Sequence, residues 1–116
     1  MAVDRIERVN SLLKRVIAEA MFPIMQSDSV QPGLITVTGV NVGKDLKDAT
    51  VLVSVFGDDA LKETALHHLR HNARRFQQAI ARQVKLKFTP RLTFKLDYSL
   101  ERGDEVLAML DSLPSS

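Results

Sequence analysis

The chain has 116 residues, 45% hydrophobic and 26% charged, a balance that suits one folded domain over 1–116 and is too apolar for a disordered chain. It has no cysteine, which excludes disulfides, thiolate metal sites and cysteine nucleophiles and suits a reducing compartment. The net charge of +2 hides an asymmetry: of 16 Lys and Arg residues, eight (Arg70, Arg74, Arg75, Arg82, Lys85, Lys87, Arg91 and Lys95) fall between Thr64 and Leu96, where no Asp or Glu occurs, so the rest of the chain nets −6.

The first predicted element is a helix. Ile6, Val9, Leu13, Val16, Ile17 and Ala20 recur at three- and four-residue steps, with Asp4 placed to complement the N-terminus and Pro23 expected to stop the helix near Phe22. Gln26–Gly33 reads as a loop. Leu34–Val42 then alternates as a strand, with Ile35, Val37 and Gly39 on one face and Thr36, Thr38, Val40 and Val42 on the other. After the polar connector Gly43–Asp48, a second strand over Ala49–Phe56 puts Ala49, Val51, Val53 and Val55 on one face, so an antiparallel hairpin is expected.

Asp58 or Asp59 is the expected cap of a long helix reaching about Val84. Leu61, Ala65, Leu69, Ala73, Phe76, Ile80 and Val84 share one side, while His67, Arg70, His71, Arg74 and Arg82 fall broadly opposite. Helical folding thus gathers the basic stretch onto one exposed face. Lys85–Asp97 alternates apolar and basic residues, and Pro90 breaks it, so the better strand begins at Arg91. Val106, Leu107 and Leu110 predict a short helix over about 103–112. No apolar run approaches the ~18 residues needed to span a bilayer, and the charges at Asp4, Arg5, Glu7 and Arg8 interrupt any leader-like core. A cytoplasmic monomer without membrane contact is expected.

The order helix, strand, strand, helix, strand predicts an α+β domain: one mixed three-stranded sheet with helices on one face, the order of a type II KH domain. A basic face on such a domain meets a polyanion. Arg forks match phosphate oxygens, and Lys acts as a point charge. The candidate RNA contacts are Arg70, Arg74, Arg75, Arg82, Lys85 and Lys87, then Arg5 and Arg8. The plainer alternative is a protein-interaction domain whose basic face takes an acidic partner. A metal-dependent hydrolase built on Glu63, His67 and His71 is a distant third, because no second cluster supplies ligands; no metal, cofactor or catalytic residue is expected. Phe76 and Phe88 read as core, leaving Tyr98 as the candidate for stacking a base.

Three stretches carry a more specific resemblance. They are Arg5-Ile-Glu-Arg8-Val9; the hairpin from Thr38 through Asp45-Leu46 and Ala49-Thr-Val51 to Gly57; and Pro90-Arg-Leu92-Thr-Phe94 followed by Asp97-Tyr-Ser99 and Gly103. Together, in this order, they resemble the bacterial ribosome-binding factor A family. The resemblance implies a non-enzymatic assembly factor that binds rRNA of the immature small (30S) subunit, assists late maturation and processing of that RNA, and matters most in the cold. Unlike ordinary KH domains, the chain has no Gly-x-x-Gly. The family's Ala-x-Gly at a kink in the long helix falls on Asn72-Ala73-Arg74 without a gap, or on Ala73-Arg74-Arg75 with one, and neither has the glycine. Arginine side chains reaching the phosphates would then replace close backbone approach, with Asn72 marking the bend.

Overall fold

The computed structural model describes residues 2–26 and 30–99, with side chains from Arg5 onward. The Asp4 cap and the helix over 103–112 lie outside these residues. Helix α1 spans Ala2–Met25 and buries Val9, Leu13, Val16, Ile17, Met21 and Met25 along one stripe. The expected stop at Phe22 is not observed, because the helix runs through Pro23. A mid-helix proline costs about 3 kcal/mol. The last turn survives because Met25 is fully buried and Ile24 packs on the core; one buried Met side chain alone offsets about 1.5–3 kcal/mol.

A single 3-10 turn at Pro32–Leu34 leads into strand β1, Ile35–Val42. Strand β2, Asp48–Val55, pairs antiparallel with β1, and strand β3, Arg91–Leu96, pairs parallel with β2, giving the order β1-β2-β3. Ala49, Val51, Val53 and Val55 are all buried, as the alternation requires. Strand β1 departs from its expected faces. Its buried residues are Ile35, Val37 and Val40, because Thr38 is skipped between the Val37–Val53 and Gly39–Leu52 pairs. One extra residue reverses the phase of a period-two pattern, so the bulge moves Val40 into the core and Gly39 out of it. The Thr38 hydroxyl donates to Asp97 Oδ2 at 2.6 Å and lies 3.2 Å from the Leu52 carbonyl oxygen. The bulge therefore ties β1 to the end of β3 across the central strand. Asn10 Oδ1 accepts from Val42 N–H at 2.8 Å and fixes α1 to the other end of β1.

Gly57 leaves β2 at φ +150°, a conformation side chains rarely adopt, and a Cβ there would lie 2.4 Å from Leu61 Cδ2. Asp58 caps helix α2, Asp59–His71, by accepting the Leu61 N–H at 2.8 Å. Helix α3, Ala73–Gln83, follows after one residue. Ala65, Leu66 and Leu69 of α2 and Phe76 and Ile80 of α3 are buried over the sheet with Leu92 and Phe94 of β3. The Phe76 and Phe94 rings meet at 5.4 Å and 57°. The helices cover one face of the sheet; Thr36, Thr93 and Lys95 stay exposed on the other. Among the described residues no helix is long and apolar enough to cross a membrane.

Candidate nucleic-acid interface

The long helix is interrupted at Asn72, whose φ of −99° and ψ of 10° leave the helical region. The cause is local. Asn72 Nδ2 donates to His68 O at 2.8 Å, the carbonyl that its own backbone N–H also approaches at 3.1 Å. A side chain competing for the i−4 carbonyl loosens the helix at that point. The residue is 5% exposed, and Nδ2 also lies 3.7 Å from Met25 Sδ, so the break is packed against the last turn of α1. Its carbonyl then accepts from Arg75 N–H at 2.9 Å and starts α3. With φ negative, the break needs no glycine.

Around this break the cations face solvent. Arg70 and His71 end α2, and Arg74 and Arg75 occupy the first turn of α3; all four are exposed. The C-terminus of α2 adjoins the N-terminus of α3, so the two helix dipoles largely offset each other there and the guanidinium charges set the local field. Arg75 and Arg82 share a groove of about 430 Å³ between α3 and the C-terminal half of α1, whose lining includes Glu19, Pro23 and Ile24. That groove is thus mixed in charge. Lys85 and Lys87 line a second cavity of about 480 Å³ beyond the end of α3, with Leu86 and Thr89.

Arg5 is not part of the helix-pair face. It lines a cleft of about 530 Å³ with Lys87, Lys44 and Lys47, together with Asp45, Leu46, Leu86 and Phe88. Arg8 is exposed on α1 and lines none of these three cavities. Lys44 and Lys47 read as connector residues in the sequence; their only signal was two lysines in a short hairpin loop. The expected core position of Phe88 is overturned, since the residue is 55% exposed. Residues 85–89 form no strand, so alternation there does not mark a buried face. Phe76, by contrast, is fully buried. Tyr98, the stacking candidate, is 38% exposed, and Lys62 Nζ lies 5.3 Å from its ring centroid. Lys62 itself is 7% exposed, a burial that nothing in the sequence marks. His67 and His71 are exposed, and among the described residues no group of three or more His, Asp or Glu side chains is placed to hold a metal.

These features define a KH-like α+β domain with a broken helix pair that presents arginines to solvent. Residues 5–110 match the family model for ribosome-binding factor A. Ribosome-binding factor A of Synechocystis sp. is 34% identical over 112 residues, covering 97% of this chain and 84% of that protein. The crystal structure of ribosome-binding factor A from Thermus thermophilus superposes with a TM-score of 0.67 at 32% identity, covering 78% of this chain and 94% of that one. A T. thermophilus homology model fitted into a cryo-electron-microscopy map of a 30S complex gives 0.61 at 33% identity, covering 77% and 91%. The chain belongs to the ribosome-binding factor A family.

Proposed function

We propose that the protein is a non-catalytic cytoplasmic factor that binds the immature 30S subunit as a monomer and assists late maturation and processing of its rRNA. Its importance would be greatest in the cold, when misfolded RNA escapes slowly. The observation that carries this reading is the acid-free run of cations displayed on the solvent side of α2 and α3, in a family whose T. thermophilus member has been fitted into a 30S complex. Arg70, Arg74, Arg75 and Arg82, then Lys85 and Lys87, meet phosphates; Arg5 and Arg8 add to the field. Mechanistically the factor acts by differential affinity: it favours one rRNA conformation only as far as it binds that conformation better than the alternatives.

Sedimentation with isolated small subunits, assembled ribosomes and free rRNA across a salt series tests this. Binding to small subunits should be strongest, with log affinity falling against log salt at a slope of about −3 to −6 for four to seven phosphate contacts. Absence of binding to every particle at low salt would refute the reading. A complex that survives nuclease would favour an acidic protein partner instead.

A further inference from the structure

We propose that the cleft lined by Arg5, Lys44, Lys47, Lys87 and Phe88 is a subsite for single-stranded RNA, in which one unpaired base stacks on Phe88 while flanking phosphates meet the four cations. The proposal rests on the RNA-binding reading above and extends it to a second surface, assembled from different elements.

Three separated segments build the cleft. Arg5 comes from the start of α1, Lys44 to Lys47 from the β1–β2 loop, and Leu86 to Phe88 from the segment between α3 and β3. Its volume of about 530 Å³ is that of a small-ligand pocket. The loop wall is preformed. Gly43 N–H donates to Asp48 O at 2.8 Å, Leu46 N–H to Gly43 O at 2.9 Å, and Lys47 N–H to Asp45 Oδ1 at 3.0 Å. Leu46 is held at φ +61°, a left-handed conformation that a leucine keeps only when its surroundings impose it. The one carboxylate in the lining, Asp45, has an oxygen engaged by its own loop.

The opposite wall holds Phe88 outward. Pro90, two residues on, is buried, and its carbonyl accepts from Gln77 Nε2 at 2.9 Å, which pins the segment to α3. Lys87 Nζ lies 5.6 Å from the Phe88 ring centroid, yet Phe88 as a residue remains 55% exposed. A cation beside an exposed ring is the pairing that a nucleotide uses, phosphate on the ammonium and base on the π face. Stacking also sets the choice among polyanions. A run of carboxylate side chains has no flat partner for the ring, and an A-form duplex keeps its base faces covered.

The test uses the absence of tryptophan from the chain. Phe88→Trp places the sole indole in the cleft, and its emission is followed during titration with short single-stranded oligoadenylate. Quenching is expected, and anisotropy of a dye-labelled oligoadenylate should show about a five- to 150-fold loss of affinity in Phe88→Ala, the equivalent of about 1–3 kcal/mol for one stacked base. Lys44→Gln with Lys47→Gln should make the salt slope shallower by about 1.4, at about 0.7 per single-strand phosphate contact. Polyglutamate should leave the emission unchanged. An unchanged emission with oligoadenylate overturns the subsite, and so does an equal response to polyglutamate. Sedimentation of the same preparation with small subunits separates the two failures: binding retained there overturns the cleft alone, and binding lost overturns the proposed function as well.

Discussion

Replacing Phe76 by Ala asks whether the arginine-bearing helix α3 is held by its buried side. Phe76 has no exposed surface and packs its ring on Phe94 of β3 at 5.4 Å. Emptying a fully buried phenylalanine site costs about 3–5 kcal/mol, of which the ring pair itself supplies about 0.5–1.5 kcal/mol. A domain of this size has about 5–15 kcal/mol in total, so the variant should fold but only marginally. At about 4–8 °C per kcal/mol, its Tm should fall by at least about 12 °C. Circular dichroism during heating and in urea measures both the loss and the m value, which should not change. Phe94→Ala, alone and combined, closes a cycle in which the two losses should be less than additive. In the cold, where Phe76→Ala remains folded, subunit binding should persist, because the side chain touches no solvent. Unchanged stability with lost RNA binding would refute the assignment of Phe76 to the core and make it part of the interface.

Two further substitutions probe the turn and the charges. Gly57→Ala forces a side chain into φ +150° and a Cβ to 2.4 Å from Leu61 Cδ2. It should cost about 1–3 kcal/mol in urea unfolding; adding Leu61→Ala should not restore stability, since the backbone strain remains and buried surface is lost. Arg74→Glu with Arg82→Glu alters only exposed residues. Stability should hold within about 0.5 kcal/mol, whereas the salt slope of subunit binding should become shallower by about two; an unchanged slope would move the phosphate contacts elsewhere.

Elements with strong periodicity were readable from the sequence, because burial on one face leaves a trace at fixed spacing. The stripe Leu69, Phe76 and Ile80 and the alternation from Ala49 to Val55 both point to the surfaces that are buried. The failures have physical causes. Pro23 reads as a stop, but the burial of Met25 outweighs its local cost. Thr38 is a good strand residue, so nothing local announces a bulge that depends on pairing with Val53 and Leu52. Phe88 looks buried because it continues an alternation, while the backbone there belongs to no sheet. The basic residues of α2 and α3 were legible as one group for the same reason as the core. Their association with Lys44 and Lys47 was not, since Arg5, the hairpin loop and Lys87 meet only through the tertiary fold.

The position of β2 between an antiparallel and a parallel neighbour also bears on how the protein comes into being. Its first partner is available once Val55 has been made, across a short loop. Its second arrives only after Phe56–Pro90 has been synthesised and folded back. Closing that longer excursion is the slower event, because its entropy must be met before the parallel pairing rewards it. Until then Phe94 is not in place beneath Phe76, and α3 has α1 but not the sheet to dock upon. A nascent chain can therefore hold the hairpin before the arginine-bearing helix is clamped between α1 and the sheet. Completion of the sheet adds the Phe76–Phe94 contact to the hold that α1 has on α3, and the arginine-bearing helix is the last part of the fold to be fixed on both sides.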